Sequence, residues 1–135
     1  MKASGKRIFM CMAVLLLLPG SVSAATYLKS VADYQKAVKE TTIGGMDITG
    51  LSDGVYVGEY DVNFIYAKVE VTVQDGKMTD IAILEHKQER GKAAEGVVED
   101  MIAEQKTDVE AVSGATNSST VIKKAVENAL RNAAR

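Results

Sequence analysis

The chain has no tryptophan, two phenylalanines, and a single histidine, cysteine and proline. Each scarcity removes a class of function. With so few aromatics there is no stacking platform for single-stranded nucleic acid. The one cysteine, Cys11, lies in the middle of an apolar run near the start. The chain beyond it therefore has no disulfide, no thiol nucleophile, no Cys-x-x-Cys-His haem site and no cysteine-based metal site. The one histidine, His86, rules out multi-histidine zinc sites and His–His relays. Positive charge is not in excess either, with 16 Lys+Arg against 18 Asp+Glu. The electrostatic footprint of nucleic-acid binding is missing.

What is present begins with a leader. Lys2, Lys6 and Arg7 precede an unbroken apolar run from Ile8 to Leu18; Pro19 and Gly20 break it, and Val22-Ser23-Ala24 supplies small residues for cleavage. As a helix the run spans only ~16 Å, against ~30 Å of hydrocarbon in a bilayer. Residues 1–24 thus read as a signal peptide for export. Extended through Pro19 and Gly20 the segment nearly reaches across, so an uncleaved anchor, with membrane association through the N-terminus, is the alternative. Cleavage after Ala24 leaves 111 of the 135 residues, with 13 of the 16 Lys+Arg and all 18 Asp+Glu, a net of −5. That is the usual size of a single domain, and its charge gives no attraction to an anionic membrane surface.

Residues from about Tyr27 to Thr41 carry Val31, Tyr34, Ala37 and Val38 at helical spacing, and Gly44-Gly45 ends the pattern. This helix reads equally as a spacer or as part of the domain. Ala67, Val69, Val71 and Val73 then alternate with Lys68, Glu70, Thr72 and Gln74, the period of a strand with one buried face. Asp75-Gly76 suits a tight hairpin turn. A return strand follows from about Met78 to His86, with Ile81 and Ile83 on one face, and Gly54–Tyr60 supplies an earlier strand. Ala94, Val97, Val98, Met101 and Ile102 fall at i, i+3, i+4, i+7 and i+8, an amphipathic helix stripe. A short extended piece, Asp108 to Val112, leads to a last helix from about Asn117 to Ala133 that buries Ile122, Ala125, Ala129 and Leu130. The expected fold is α+β: an antiparallel β-meander with helices packed against the sheet.

The informative stretch is Asp108-Val-Glu-Ala-Val-Ser-Gly-Ala-Thr116-Asn-Ser-Ser119. On the residues alone it is a hydroxyl-rich turn entering a helix. Two readings stand side by side. The hydroxyls are helix caps, with Gly114 permitting the turn; or the exposed N–H groups and positive dipole end receive a phosphate.

Ser113-Gly114-Ala115-Thr116, followed by Ser118 and a helix, resembles the flavinylation motif of the FMN-binding domain family. That family includes the C subunit of the sodium-translocating NADH:quinone reductase, the G subunit of the Rnf complex and small exported stand-alone domains. The resemblance extends to Asp53-Gly54-Val55-Tyr56-Val57-Gly58, to the hairpin with Asp75-Gly76 and to His86 after the return strand. It implies FMN as cofactor, joined through its phosphate to Thr116 by a flavin transferase that uses FAD and magnesium. It also implies Ser113, Gly114, Ala115, Ser118 and His86 as cofactor-binding residues, and redox proteins as partners. One departure stands out: the family usually has Asp six positions before the acceptor threonine, and this chain has Glu110.

The expected organisation is a leader over 1–24, an N-terminal helix and linker over 25–51 and an FMN-binding domain over 52–135. No acid–base or nucleophile constellation is visible in the sequence. The implied role is an electron carrier in the periplasm or on the outer face of the membrane, rather than a self-contained enzyme. A non-covalent FMN-binding module and a non-redox exported adaptor are the competing expectations. His86 reads equally as a flavin contact or as an exposed residue at a strand end. Tyr56 and Tyr60 read as packing residues or as stacking partners for a ring. The stretch from Gly91 to Ala94 lacks the spacing of a nucleotide-binding loop.

Overall fold

The computed structural model describes residues 24–88 and 92–135. The expected leader, with Cys11, lies outside them apart from Ala24. The chain divides into two compact units, Met1–Asp33 and Tyr34–Arg135. Residues 24–40 are helical (α1). Among the described residues no helix is long and apolar enough to cross a membrane.

The second unit is built on three antiparallel strands in the order β1 (Gly54–Asp61), β2 (Tyr66–Gln74) and β3 (Lys77–Lys87). A 3-10 turn at Lys92–Gly96 leads into α2 (Val97–Glu104), and α3 (Thr116–Ala133) closes the fold. This is the α+β meander that the periodicities predict. In β2 the alternation is realised fully: Ala67, Val69, Val71 and Val73 have no exposed surface. Asp75 and Gly76 take φ of 51° and 71°, the left-handed pair of a type I′ turn. The Asp53 carboxylate accepts the Asp75 N–H at 2.9 Å.

β3 departs from simple alternation. Its register against β2 slips twice: Val73 faces Met78 while Thr72 faces Asp80, and Val69 faces Ile83 while Lys68 faces Glu85. Thr79 and Leu84 are therefore the extra residues of two bulges. After each bulge the faces reset. Met78, Ile81, Ile83 and His86 share the inner face, whereas strict alternation from Ile81 and Ile83 would turn Glu85 inward and His86 outward. Leu84 is left exposed.

α3 runs antiparallel to β1. The Asn128 and Asn132 amides, one helical turn apart, donate to the carbonyls of Glu59 at 2.9 Å and Val57 at 2.8 Å. They satisfy acceptors that an edge strand would otherwise leave open for pairing with another chain. At Gly58 a Cβ would lie 2.2 Å from both the Ala125 carbonyl oxygen and the Ala129 nitrogen, so the helix rests directly on the strand backbone. The expected buried face is present: Ile122, Ala125, Ala129 and Leu130 are fully covered, joined by Val121 and Val126. Burying the valine, isoleucine and leucine side chains contributes about 1.5–3 kcal/mol each, and the alanines less.

The helix expected around Ala94–Ile102 is split. Gly96 lacks helix propensity, and Ala94 lies on the 3-10 turn before it, while α2 begins at Val97. The helix ends at Gln105, in the left-handed conformation. The Gln105 side chain accepts the Met78 N–H at 2.7 Å and donates to the Met78 carbonyl at 2.8 Å, continuing the ladder of β3 with one amide.

The segment before β1 is also part of the core. Val38 and Ile48 are buried, and the Thr41 hydroxyl pairs with that of Tyr60 at 2.7 Å. Glu127, fully covered, accepts the Gly44 N–H at 3.2 Å and is paired with Lys124 and Arg131.

On the outer sheet face Tyr66 donates its hydroxyl to Glu59 at 2.6 Å. This bond to the carboxylate pushes the Tyr66 phenol up to about 12. The neutral phenol is favoured in the folded state, so its stabilising contribution is present below about 10, the unfolded value. It is lost as pH rises through about 12. The gap in urea midpoint between wild type and Tyr66→Phe is expected to shrink over that window.

Candidate functional site

The turn 112–115 is set by Gly114. Its φ of 79° and the Ala115 N–H to Val112 carbonyl bond of 2.9 Å match a type II turn with glycine at the third position. A Cβ at Gly114 would meet nothing within 4 Å, so conformation, not space, calls for glycine here. Thr116 follows as the first residue of α3. Ser113, Gly114 and Thr116 are exposed, while Ala115 and Ser118 are buried.

The cap position of α3 is Ala115, and no side chain caps the helix. The cap reading of the hydroxyls therefore does not describe this turn. The Thr116 hydroxyl makes no hydrogen bond among the described residues, and the first N–H groups of α3 are left without a side-chain acceptor. Such a terminus favours an anion by about 0.3–1 kcal/mol at an exposed site. That is too little to hold a cofactor alone.

Ser119 is the residue that composition and spacing did not single out. Fully buried, it accepts the Val112 N–H at 3.0 Å and donates to the Ala115 carbonyl at 2.8 Å. One hydroxyl thus clamps both sides of the turn to the helix. Its position three residues after Thr116 is the only signal the sequence offers, and that signal fits any first-turn serine. Lys123, also buried, adds a bond from Nζ to the Val109 carbonyl at 2.8 Å, which fixes the approach to the turn. Asp108 and Glu110 point outward on this approach and are exposed. Ser119→Ala is expected to cost about 1–2 kcal/mol. Hydrogen exchange at Val112 and Ala115 checks this: both amides should lose protection before the sheet does.

His86 is placed by the bulge at Leu84. Its side chain is 2 % exposed, and Nδ1 lies 3.1 Å from Glu95 Oε1 on the 3-10 turn. Nε2 is buried and has no hydrogen-bond partner among the described residues. An unmet buried polar atom costs about 1–3 kcal/mol. Because α3 runs antiparallel to β1, it starts toward the end of the sheet where β1 and β3 finish. Thr116 thus lies in the direction of His86, and no hydrogen bond joins the two among the described residues.

Tyr56 and Tyr60 have structural partners. The Tyr56 hydroxyl donates to the Ser52 carbonyl at 2.7 Å, its ring lies across Gly54, and Tyr60 holds Thr41. Among the described residues no group of His, Cys, Asp and Glu could hold a metal ion.

The arrangement fits FMN on two counts. An exposed, unbonded hydroxyl heads an uncapped helix, where a phosphate is favoured, and a buried ring nitrogen lacks a partner that a polar cofactor could provide. No curated protein matches the chain. The family model of the FMN-binding domain matches residues 66–131, from the start of β2 to Arg131 in α3. That span contains the hairpin, His86, Glu95 and the whole turn. Residues 66–131 thus form an FMN-binding domain, which indicates FMN as the cofactor.

Proposed function

We propose that the protein is an exported electron carrier whose FMN is covalently attached to Thr116. The observation that carries this reading is the Thr116 hydroxyl: exposed, without a hydrogen bond among the described residues, and flanked by the exposed Ser113 and Gly114. A hydroxyl that must enter another enzyme's active site needs such surroundings. Threonine is not acidic, so its activation falls to the metal and base of a flavin transferase. The threonine oxygen forms a bond to the flavin-side phosphorus of FAD. The pyrophosphate bond breaks, AMP leaves with its electrons, and the hydroxyl proton passes to the transferase.

The domain then supplies attachment and orientation, and the flavin supplies the redox chemistry. Covalent retention suits a protein exported to the periplasm or the outer membrane face, where a free flavin would diffuse away. Its partners are the transferase during maturation and extracytoplasmic or membrane redox proteins afterwards.

The test is the intact mass of protein made and exported in a host with a matching flavin transferase. A gain of FMN less one water, retained on denaturation, supports the reading. No gain, although the transferase modifies a control protein, refutes the covalent link. Yellow colour that is lost on denaturation then indicates non-covalent FMN.

A further inference from the structure

Glu95 lies outside the motif and reaches the site only through His86. Its carboxylate sits 3.1 Å from Nδ1 of a side chain that is 2 % exposed. An ionised carboxylate can only accept, so Nδ1 must be the nitrogen that carries the proton. In the neutral ring this leaves Nε2 as a bare lone pair, buried and without a partner among the described residues. It can then satisfy only a donor. No described side chain supplies one, and a cofactor with N–H groups can.

The position is a built one. The bulge at Leu84 resets β3 after Ile83 so that His86 faces inward opposite Ala67, and the 3-10 turn that carries Glu95 packs on α3, the helix headed by Thr116. The remaining charged neighbours on β3, Glu85 and Lys87, lie on the other face, and Lys92 on the 3-10 turn is exposed.

Resting on the FMN reading above, we infer that Glu95 is a positioning residue that locks His86 in its Nδ1–H form, so that Nε2 accepts a hydrogen bond from an N–H of the bound isoalloxazine. The protein thereby selects a ring edge that donates, and Glu95 sets that selection without touching the flavin.

The chain has one histidine, so the ring nitrogens can be read directly by 15N NMR without assignment ambiguity. The samples are the FMN-loaded full chain, the unloaded Thr116→Ala chain, and loaded Glu95→Ala and Glu95→Gln, all at about pH 8, above the ordinary histidine range. The expected wild-type result is a protonated Nδ1 and a bare Nε2 whose resonance moves on loading while Nδ1 stays. Glu95→Ala is expected to mix the two tautomers and to shrink the movement of Nε2 by half or more. Glu95→Gln, whose amide oxygen still accepts, should restore part of it. Glu95 is partly exposed, so both variants should fold, and unchanged urea midpoints check that. A flavin-loaded protein whose Nε2 does not move, or whose Nδ1 is bare, overturns the inference and leaves FMN binding intact. Absence of flavin absorbance from the wild-type protein overturns both.

Discussion

Thr116→Ala and Thr116→Asn are expected to leave the protein, made beside a matching flavin transferase, colourless after denaturation and lacking the mass of attached FMN, with folding unchanged. The loss should be complete, because neither side chain has a hydroxyl to form the phosphoester. Thr116→Ser keeps a hydroxyl and is expected to load partially. Stability should move by no more than about 0.5 kcal/mol, as for other exposed positions without partners. The Thr116 side chain is exposed, and the helix has no side-chain cap to lose. This separation of readouts is what distinguishes the acceptor from a cap. As a cap, Asn would match or exceed Thr, and the effect would appear in the urea midpoint and not in the mass. Full FMN mass on Thr116→Ala would place the attachment elsewhere.

Gly58→Ala is expected to destabilise the protein by about 3 kcal/mol or more, since overpacking against backbone has no soft side chain to absorb it. The added Cβ would sit 2.2 Å from the Ala125 oxygen and the Ala129 nitrogen and 2.8 Å from the Ala129 Cα. To relieve this, α3 must lift away from β1. The bonds from Asn128 and Asn132 to the edge of β1 would then lengthen together with the loss of core packing. Against a typical total of about 5–15 kcal/mol, much of the folded population is at risk. Gly96→Ala is the control, because a Cβ there meets nothing within 4 Å and the backbone is already right-handed. It should be neutral or slightly stabilising. Equal urea midpoints for wild type and Gly58→Ala would show that α3 does not rest on β1 as described.

The elements that the sequence made legible are those whose signal is local. The alternation of Ala67 to Val73, the Asp75-Gly76 turn and the α3 stripe each follow from the geometry of one element and the need to hide its apolar face. The Ser113–Thr116 turn was legible as well, because a glycine between small and hydroxylated residues before a helix has few uses. What local periodicity could not provide is register. The side chain of His86 shares the buried face of Ile81 and Ile83 only because Leu84 bulges out of β3, and a bulge is a property of two strands in contact.

The sequence by itself thus determined the α+β class, the three strands and the hydroxyl-rich turn that enters the last helix. Tertiary structure alone decided that Val38 and Ile48 complete the core, that Gly58 is where a helix touches a strand, that Ser119 clamps the turn and that Glu95 meets His86. Each of these pairs residues far apart in the chain or turned by a neighbouring element. Only the packing of one surface on another, under the demand that buried polar atoms be bonded and buried space be filled, selects them.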